Sequence, residues 1–204
     1  EFDKMKDEDR SALHEVMEQQ TASIAKGGIV ATLNARTSIL AAANPMYGKY
    51  DPFKNITENV NLPIPLLTRF DLIFVVRDQP SKERDEKIAK HIINLHTPQG
   101  IDNRSLVDSE TLTKYVSYAK RVDPILTKEA EDKILAYYLK MRNVESEEMI
   151  TVTPRQLEGL IRLATARARL LLKTKVEEED AQRAIELLQN MFEDAGIDVN
   201  TGKV

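Results

Sequence analysis

Two runs in the first 80 residues, 37–43 (TSILAAA) and 72–76 (LIFVV), read as buried parallel strands. Asn44-Pro45 stops the first, and charged residues bound the second. A parallel sheet must be covered by helices on both faces, and two core strands are too few to make one. Residues 1–80 are therefore predicted to be an incomplete α/β piece whose remaining strands lie before Glu1.

Local signals fill in the rest. Asp7 is placed to cap a helix that carries Leu13, Val16 and Met17 on one face and ends near Gln20. Two β-rich arms, 21–25 and 29–33, flank Gly27-Gly28, the signature of a two-residue hairpin turn. Residues 46–62 read as a polar loop, and Pro63 and Pro65 introduce a short helical turn before LIFVV. From Ser81 the texture is helical: a charged helix runs to about His96, where Pro98 and Gly100 break it, and 101–108 is a linker. Helices are predicted at 109–121, 127–142, 153–173 and 177–194. Thr153-Pro154-Arg155-Gln156 supplies a capping threonine, a proline at the first helical position and a glutamine at the third. The division is an α/β part (1–80), a connecting helix and linker (81–104) and an all-α part (105–204).

Composition narrows the classes. The chain has 204 residues, no cysteine and three scattered histidines (His14, His91, His96), so neither a disulfide framework nor a histidine metal cluster is expected. No apolar run is long enough to span a membrane and no targeting segment is visible; the absence of cysteine fits an intracellular location. A net charge of −4 argues against a surface that grips nucleic acid everywhere, but leaves room for a local basic contact.

Five residues carry candidate chemistry. Glu1, if an aspartate ending a strand precedes it, is half of an acidic pair that holds Mg²⁺ and orients water. Asn44 follows an expected strand at its carboxyl end, where open α/β sheets bind ligands, although Asn-Pro is equally a turn signal. Lys26 stands beside the glycine turn, either as an edge-blunting charge or, with many copies around a channel, as a phosphate grip. Arg69 interrupts LLTRFDLIF, either paired with Asp71 or surface-exposed, or pointed across a subunit boundary at a phosphate. Arg155 lies in a helix's first turn, where a cation is unfavourable without an anion to answer it; a plain surface arginine is the other reading.

Five ordered blocks, EFDKM, HEVMEQQTASIAKGGIVATLNAR, AAANPMYGKYDP, ENVNLPIPLLTRFDLIFVVRD and TPRQLEGLIRLATARA, closely resemble the C-terminal half of minichromosome maintenance (MCM) replicative helicases, with an archaeal look to the tail. The resemblance implies the second half of an AAA+ P-loop-type α/β core with a hairpin, followed by a helical lid. It makes Glu1 the Walker B glutamate, Lys26 the channel-lining, DNA-contacting lysine, and Asn44 sensor 1. It makes Arg69 the arginine finger and Arg155 sensor 2, both serving a neighbouring subunit's nucleotide. It further implies ATP and Mg²⁺, the main ligands of both lying upstream, and a homo-oligomeric ring, a hexamer, around DNA. Contacts with other replication proteins and a cytoplasmic or nucleoid setting go with it. One departure stands out: no G-x-x-x-x-G-K-[ST] loop occurs in the chain, so it is expected to be inactive alone. Competing functions are a non-catalytic module docking on such rings, and another hairpin-bearing AAA+ remodeller.

Overall fold

A computed structural model describes residues 2–51, 54, 56–78, 80–96, 106–142 and 153–194. The chain forms two compact units, Glu1–Ile73 and Phe74–Val204.

In the first unit a 3₁₀ turn (Phe2–Lys4) leads into α1 (Asp7–Gln19). Asp7 does not cap this helix but is its first residue. Lys6 occupies the cap position without a side-chain bond. Asp7, Glu8 and Asp9 instead face the positive end of the helix dipole, an alternative way to stabilise a start. Gln20 ends α1 in the left-handed conformation (φ 56°), and its N–H returns to Val16 O. The chain then enters the expected hairpin, β1 (Thr21–Lys26) antiparallel to β2 (Ile29–Asn34). The register runs from Thr21 opposite Asn34 to Lys26 opposite Ile29. Gly27 and Gly28 both have positive φ (62° and 80°), the two-residue turn that matches strand twist and that glycine alone adopts freely.

The two runs expected as buried strands are not strands. Residues 35–45 and 72–78 are irregular, with Leu40, Phe74 and Val76 exposed. A strand exists only where a neighbour takes its backbone N–H and C=O groups. Among the described residues no parallel neighbour lines either run, apart from the single bond Phe2 N–H to Ala42 O (2.9 Å). The loop after Pro45 is more ordered than its polarity suggests, because buried Asn59 organises it. Asn59, the last residue of α2 (Ile56–Asn59), accepts Asp51 N–H (2.7 Å) and donates to Asp51 O (2.9 Å) and Lys54 O (3.0 Å). The short turn expected after Pro63 is α3 (Ile64–Leu67). Its Leu66 and Leu67 join Phe2 and Leu62 in a small core, backed by Met5, Leu13, Met17, Val60, Phe70 and Ile73. Phe70 meets Phe2 edge to face at 5.6 Å, the favoured geometry for aromatic pairs.

The second unit holds α4 (Lys82–Leu95), α5 (Ser109–Ala119), α6 (Lys128–Arg142), α7 (Pro154–Leu170) and α8 (Glu178–Asp194). All lie where the periodicity puts them. Every residue of α4 is exposed, including Ile88, Ile92 and Ile93. Helices α6, α7 and α8 pack together through stripes at three- and four-residue spacing: Ala130, Ile134, Tyr137, Tyr138 and Met141 on α6, Leu160, Ala164 and Ala168 on α7, Ala181, Ala184, Ile185, Leu188 and Phe192 on α8. The alanines let the axes approach closely. The capping box at α7 forms: Thr153 N–H donates to Gln156 Oε1 (2.9 Å), and Arg155 N–H to Thr153 Oγ1 (3.3 Å). The unit also contains a two-residue parallel ladder, β3 (Ile125–Leu126) with β4 (Lys175–Val176), which is too short to leave a periodic signal in the sequence.

Fully buried Asp180 anchors the turn between β4 and α8. Its carboxylate accepts from Glu177 N–H (3.0 Å), from Lys173 Nζ (3.3 Å) and from Arg167 Nη1. Burial alone raises its pKa, but the Glu177 N–H and the two cations outweigh that and hold it below the usual carboxylate range. A carboxylate with a depressed folded pKa stabilises above its unfolded pKa and loses that contribution as pH falls through the folded one. Asp180→Ala is therefore expected to destabilise the helical unit by about 2 kcal/mol at pH 7, since Glu177 N–H loses its acceptor while Arg167 and Lys173 keep only their second partners, Glu179 and Glu177. In urea titrations the difference from wild type should shrink below about pH 4. A pH-independent difference would show that Asp180 acts by shape rather than charge.

Candidate functional site

The first unit brings the segment after Glu1 against the segment that carries Asn44. Two bonds across about 40 residues of chain join them: Phe2 N–H to Ala42 O (2.9 Å), and Asn44 N–H to Asp3 Oδ1 (3.2 Å). The Asp3 carboxyl is held below its ordinary pKa, chiefly by that Asn44 N–H. Its backbone carbonyl accepts Arg10 Nη2 (2.9 Å), so the same short segment is also tied to α1. Asn44 itself is exposed. Its backbone N–H is engaged by Asp3, which fixes where the residue stands. Glu1 lies outside the described residues.

Helix α1 organises two further elements. Glu15 Oε1 accepts from Ser23 Oγ (2.7 Å) and Thr21 Oγ1 (3.3 Å), which clamps the base of the hairpin and lowers the Glu15 pKa, first through Ser23. Ala35 N–H to Gln20 O (2.8 Å) closes the other arm. Lys26 is the last residue of β1, so the strands carry its backbone to the hairpin's far end beside exposed Gly27 and Gly28.

One turn beyond Glu15, Glu18 Oε2 meets Arg69 Nη2 at 2.6 Å. Arg69 follows α3 in a tight turn, its N–H bonded to Leu66 O (3.1 Å), and its Nη1 donates to Pro65 O (2.8 Å). Arg69 therefore pairs with a carboxylate far away in sequence, Glu18, and its side chain stays largely buried. Leu66, Leu67 and Phe70 hold the turn on the core, and the Arg69 side chain lies largely buried there, its Nε without a partner among the described residues and its Nη groups bonded to Pro65 O and Glu18. Among the described residues no hydrogen bond or ion pair joins Arg69 to Asn44.

Arg155 belongs to the second unit. Its backbone is fixed by the capping box, and among the described residues its guanidinium has no ion pair. The first-turn amides are already answered, Arg155 N–H by Thr153 Oγ1 (3.3 Å) and Gln156 N–H by Thr153 O (3.1 Å), so what faces the positive end of the helix dipole is the guanidinium, a cation that an anion would stabilise there. Among the described residues no group of three or more His, Asp or Glu is placed to hold a metal ion.

The sequence reading missed Asp3, Glu15 and Glu18. A signal for Glu18 was present: a carboxylate in the last turn of α1, where the dipole disfavours it and no basic residue shares the turn, calls for a cation from elsewhere. Asp3 and Glu15 gave no comparable signal, since acidic residues in and just before an exposed helix are ordinary.

Residues 1–96 match the family model described as the MCM P-loop domain, and residues 110–192 that of the MCM AAA-lid domain. The whole chain is 47% identical to the minichromosome maintenance protein MCM of Saccharolobus solfataricus, of which it covers 30%. It is 46% identical over its whole length to DNA replication licensing factor MCM4 of Arabidopsis thaliana (25% of that protein). Over 93% of its length it is 44% identical to DNA replication licensing factor mcm7 of Xenopus tropicalis (27% of that protein). The chain thus spans less than a third of these relatives. Among the described residues no helix is long and apolar enough to cross a membrane. Matched in order through both its α/β and its helical part, the chain belongs to the minichromosome maintenance (MCM) family.

Proposed function

We propose that this chain is the sensor, finger and lid portion of a ring-forming, ATP-driven replicative DNA helicase. The observation that carries it is the pair of bonds joining 2–3 to 42–44: they support a site in which Glu1 activates water and Asn44 holds that water against the terminal phosphate. Arg69 and Arg155 supply charge to the terminal phosphate of a neighbouring subunit's nucleotide. Charge developing on the transferred phosphoryl group is what such guanidinium groups stabilise. Lys26 contacts DNA in the ring channel, where the copies from all subunits of a hexamer converge. The division into core (1–80), connector (81–104) and lid (105–204) follows from these roles. Relatives named as replication licensing factors support the setting, DNA replication within the cell.

ATP is the substrate and Mg²⁺ the implied metal, which when bound would neutralise phosphate charge. The residues that would hold it are not among those described. The phosphate-cradling loop is absent from the sequence, so these residues hold part of one ATP site and the donated half of another. Purified residues 1–204 are accordingly expected to hydrolyse no ATP above a protein-free blank. Robust turnover that co-elutes with the chain, and survives removal of contaminating ATPases, would overturn this division of the site.

A further inference from the structure

Arg69 is held at two points by two different elements. Nη2 reaches Glu18 of α1 at 2.6 Å, and Nη1 reaches Pro65 O of its own turn at 2.8 Å. The Arg69 side chain is 15% exposed and that of Glu18 59%. The carboxylate therefore approaches from the solvent side, over an arginine already seated on the core. The helix that carries Glu18 is fastened one turn earlier, where Glu15 bonds Ser23 and Thr21. At its other end α1 is fastened through Arg10 to Asp3 O.

We infer that Glu18 is a positioning residue for Arg69: it orders the guanidinium before the neighbouring subunit's phosphate arrives. The inference rests on the role given to Arg69 above. A long arginine side chain at a surface turn samples many rotamers, and a finger acts only from one narrow set of positions. Two anchors, one charged, remove most of that freedom in advance. Of the five guanidinium N–H groups, Nε–H is buried without a partner among the described residues and the anchors take one each on Nη1 and Nη2, which leaves the second N–H of each Nη for phosphate oxygens. Glu18 touches no reacting atom in this role. It accepts one N–H of Nη2 and leaves the other unbonded among the described residues.

The test uses the intact protein that carries this sequence, assembled as a ring, with variants Glu18→Ala, Glu18→Gln and Arg69→Ala. Glu18→Ala is expected to lower kcat by about 10- to 100-fold while KM for ATP changes little, since misplacing a group that acts in the transition state has that signature. Glu18→Gln keeps an acceptor oxygen and should fall between Ala and wild type. It also stands in for the alanine variant should that one fail to assemble. Glu18→Ala combined with Arg69→Ala should be no slower than Arg69→Ala alone, as expected of two residues acting as one unit. In rings mixed with Glu1→Gln subunits, Glu18→Ala should regain ATPase as Arg69→Ala does, because both lesions lie on the same side of the subunit boundary. A merely structural role would not choose sides. Wild-type kcat in both Glu18 variants, additive loss in the double variant, or failure of Glu18→Ala to complement where Arg69→Ala succeeds would each overturn the inference. Wild-type turnover by Arg69→Ala would instead remove the role assigned to Arg69, and this inference with it.

Discussion

Lys26→Ala in the intact protein is expected to keep most of its ATPase and to lose strand separation. The hairpin explains why the two activities should part. Its two strands pair along their whole length and end in a turn of two exposed glycines, so the backbone of Lys26 is delivered to the far end of a projecting element. The hairpin's ties to the rest of the unit are at its base, Thr21 and Ser23 to Glu15 and Ala35 to Gln20. Removing a charge at the far end therefore leaves α1, Arg69 and the 42–44 segment as they were. A lysine at a phosphate is a point charge whose removal weakens binding irrespective of sequence. The log–log salt dependence of binding to single-stranded DNA should flatten by about 0.7 for each phosphate that is no longer neutralised. In a ring the same charge is missing from every subunit, so unwinding should fall at least about tenfold. Loss of both activities in a ring shown to be assembled would place Lys26 in the structure of the subunit rather than in its grip on DNA.

Arg69→Ala is expected to have a larger effect, on chemistry itself: hydrolysis should fall by about 10³-fold or more, the typical contribution of an arginine that answers transition-state charge. Nucleotide affinity should change much less, since the phosphates are held chiefly by other groups before reaction. Arg69→Lys should restore little. Two anchors and a phosphate need the forked guanidinium, whereas an ammonium offers one charged point and would leave either Glu18 or Pro65 O unanswered. Single-turnover hydrolysis by assembled rings measures this directly. Near-wild-type rates for Arg69→Lys would mean that charge alone suffices and that the two-point seating is incidental.

What was legible in the sequence follows the range of the forces involved. The hairpin, the Thr153 cap and the helices of the second unit rest on neighbours within a few residues, and they lie where periodicity and turn chemistry put them. The two runs expected as parallel strands failed because a strand is not a property of its own residues. Leu40 and Val76 are as apolar as the reading assumed, yet no ladder of described residues receives them. The Asp7 cap failed for a smaller reason: three acidic residues in a first turn serve the dipole as well as one capping side chain serves an amide. Among the candidate residues, type and order pointed to Asn44 and Arg69 but not to what holds them, whereas Arg155 stands on the Thr153 cap that the sequence predicts. Asp3 lies 41 residues from Asn44 and Glu18 lies 51 from Arg69, and no local pattern encodes such pairings. Of these, only Glu18 carried a warning, its charge being wrong for its end of the helix.

The central claim is that each subunit holds Glu1 and Asn44 for one nucleotide and offers Arg69 to the next. Rings made only of Arg69→Ala subunits and rings made only of Glu1→Gln subunits should both be nearly inactive. A mixed ring contains interfaces at which an intact Arg69 from one variant faces an intact Glu1 from the other. With subunit exchange established by co-purification of two tags, ATPase of the mixture should rise above that of either parent and peak at an intermediate ratio. A mixture that has exchanged its subunits and still only interpolates between its parents would contradict the claim and confine Arg69 to its own subunit.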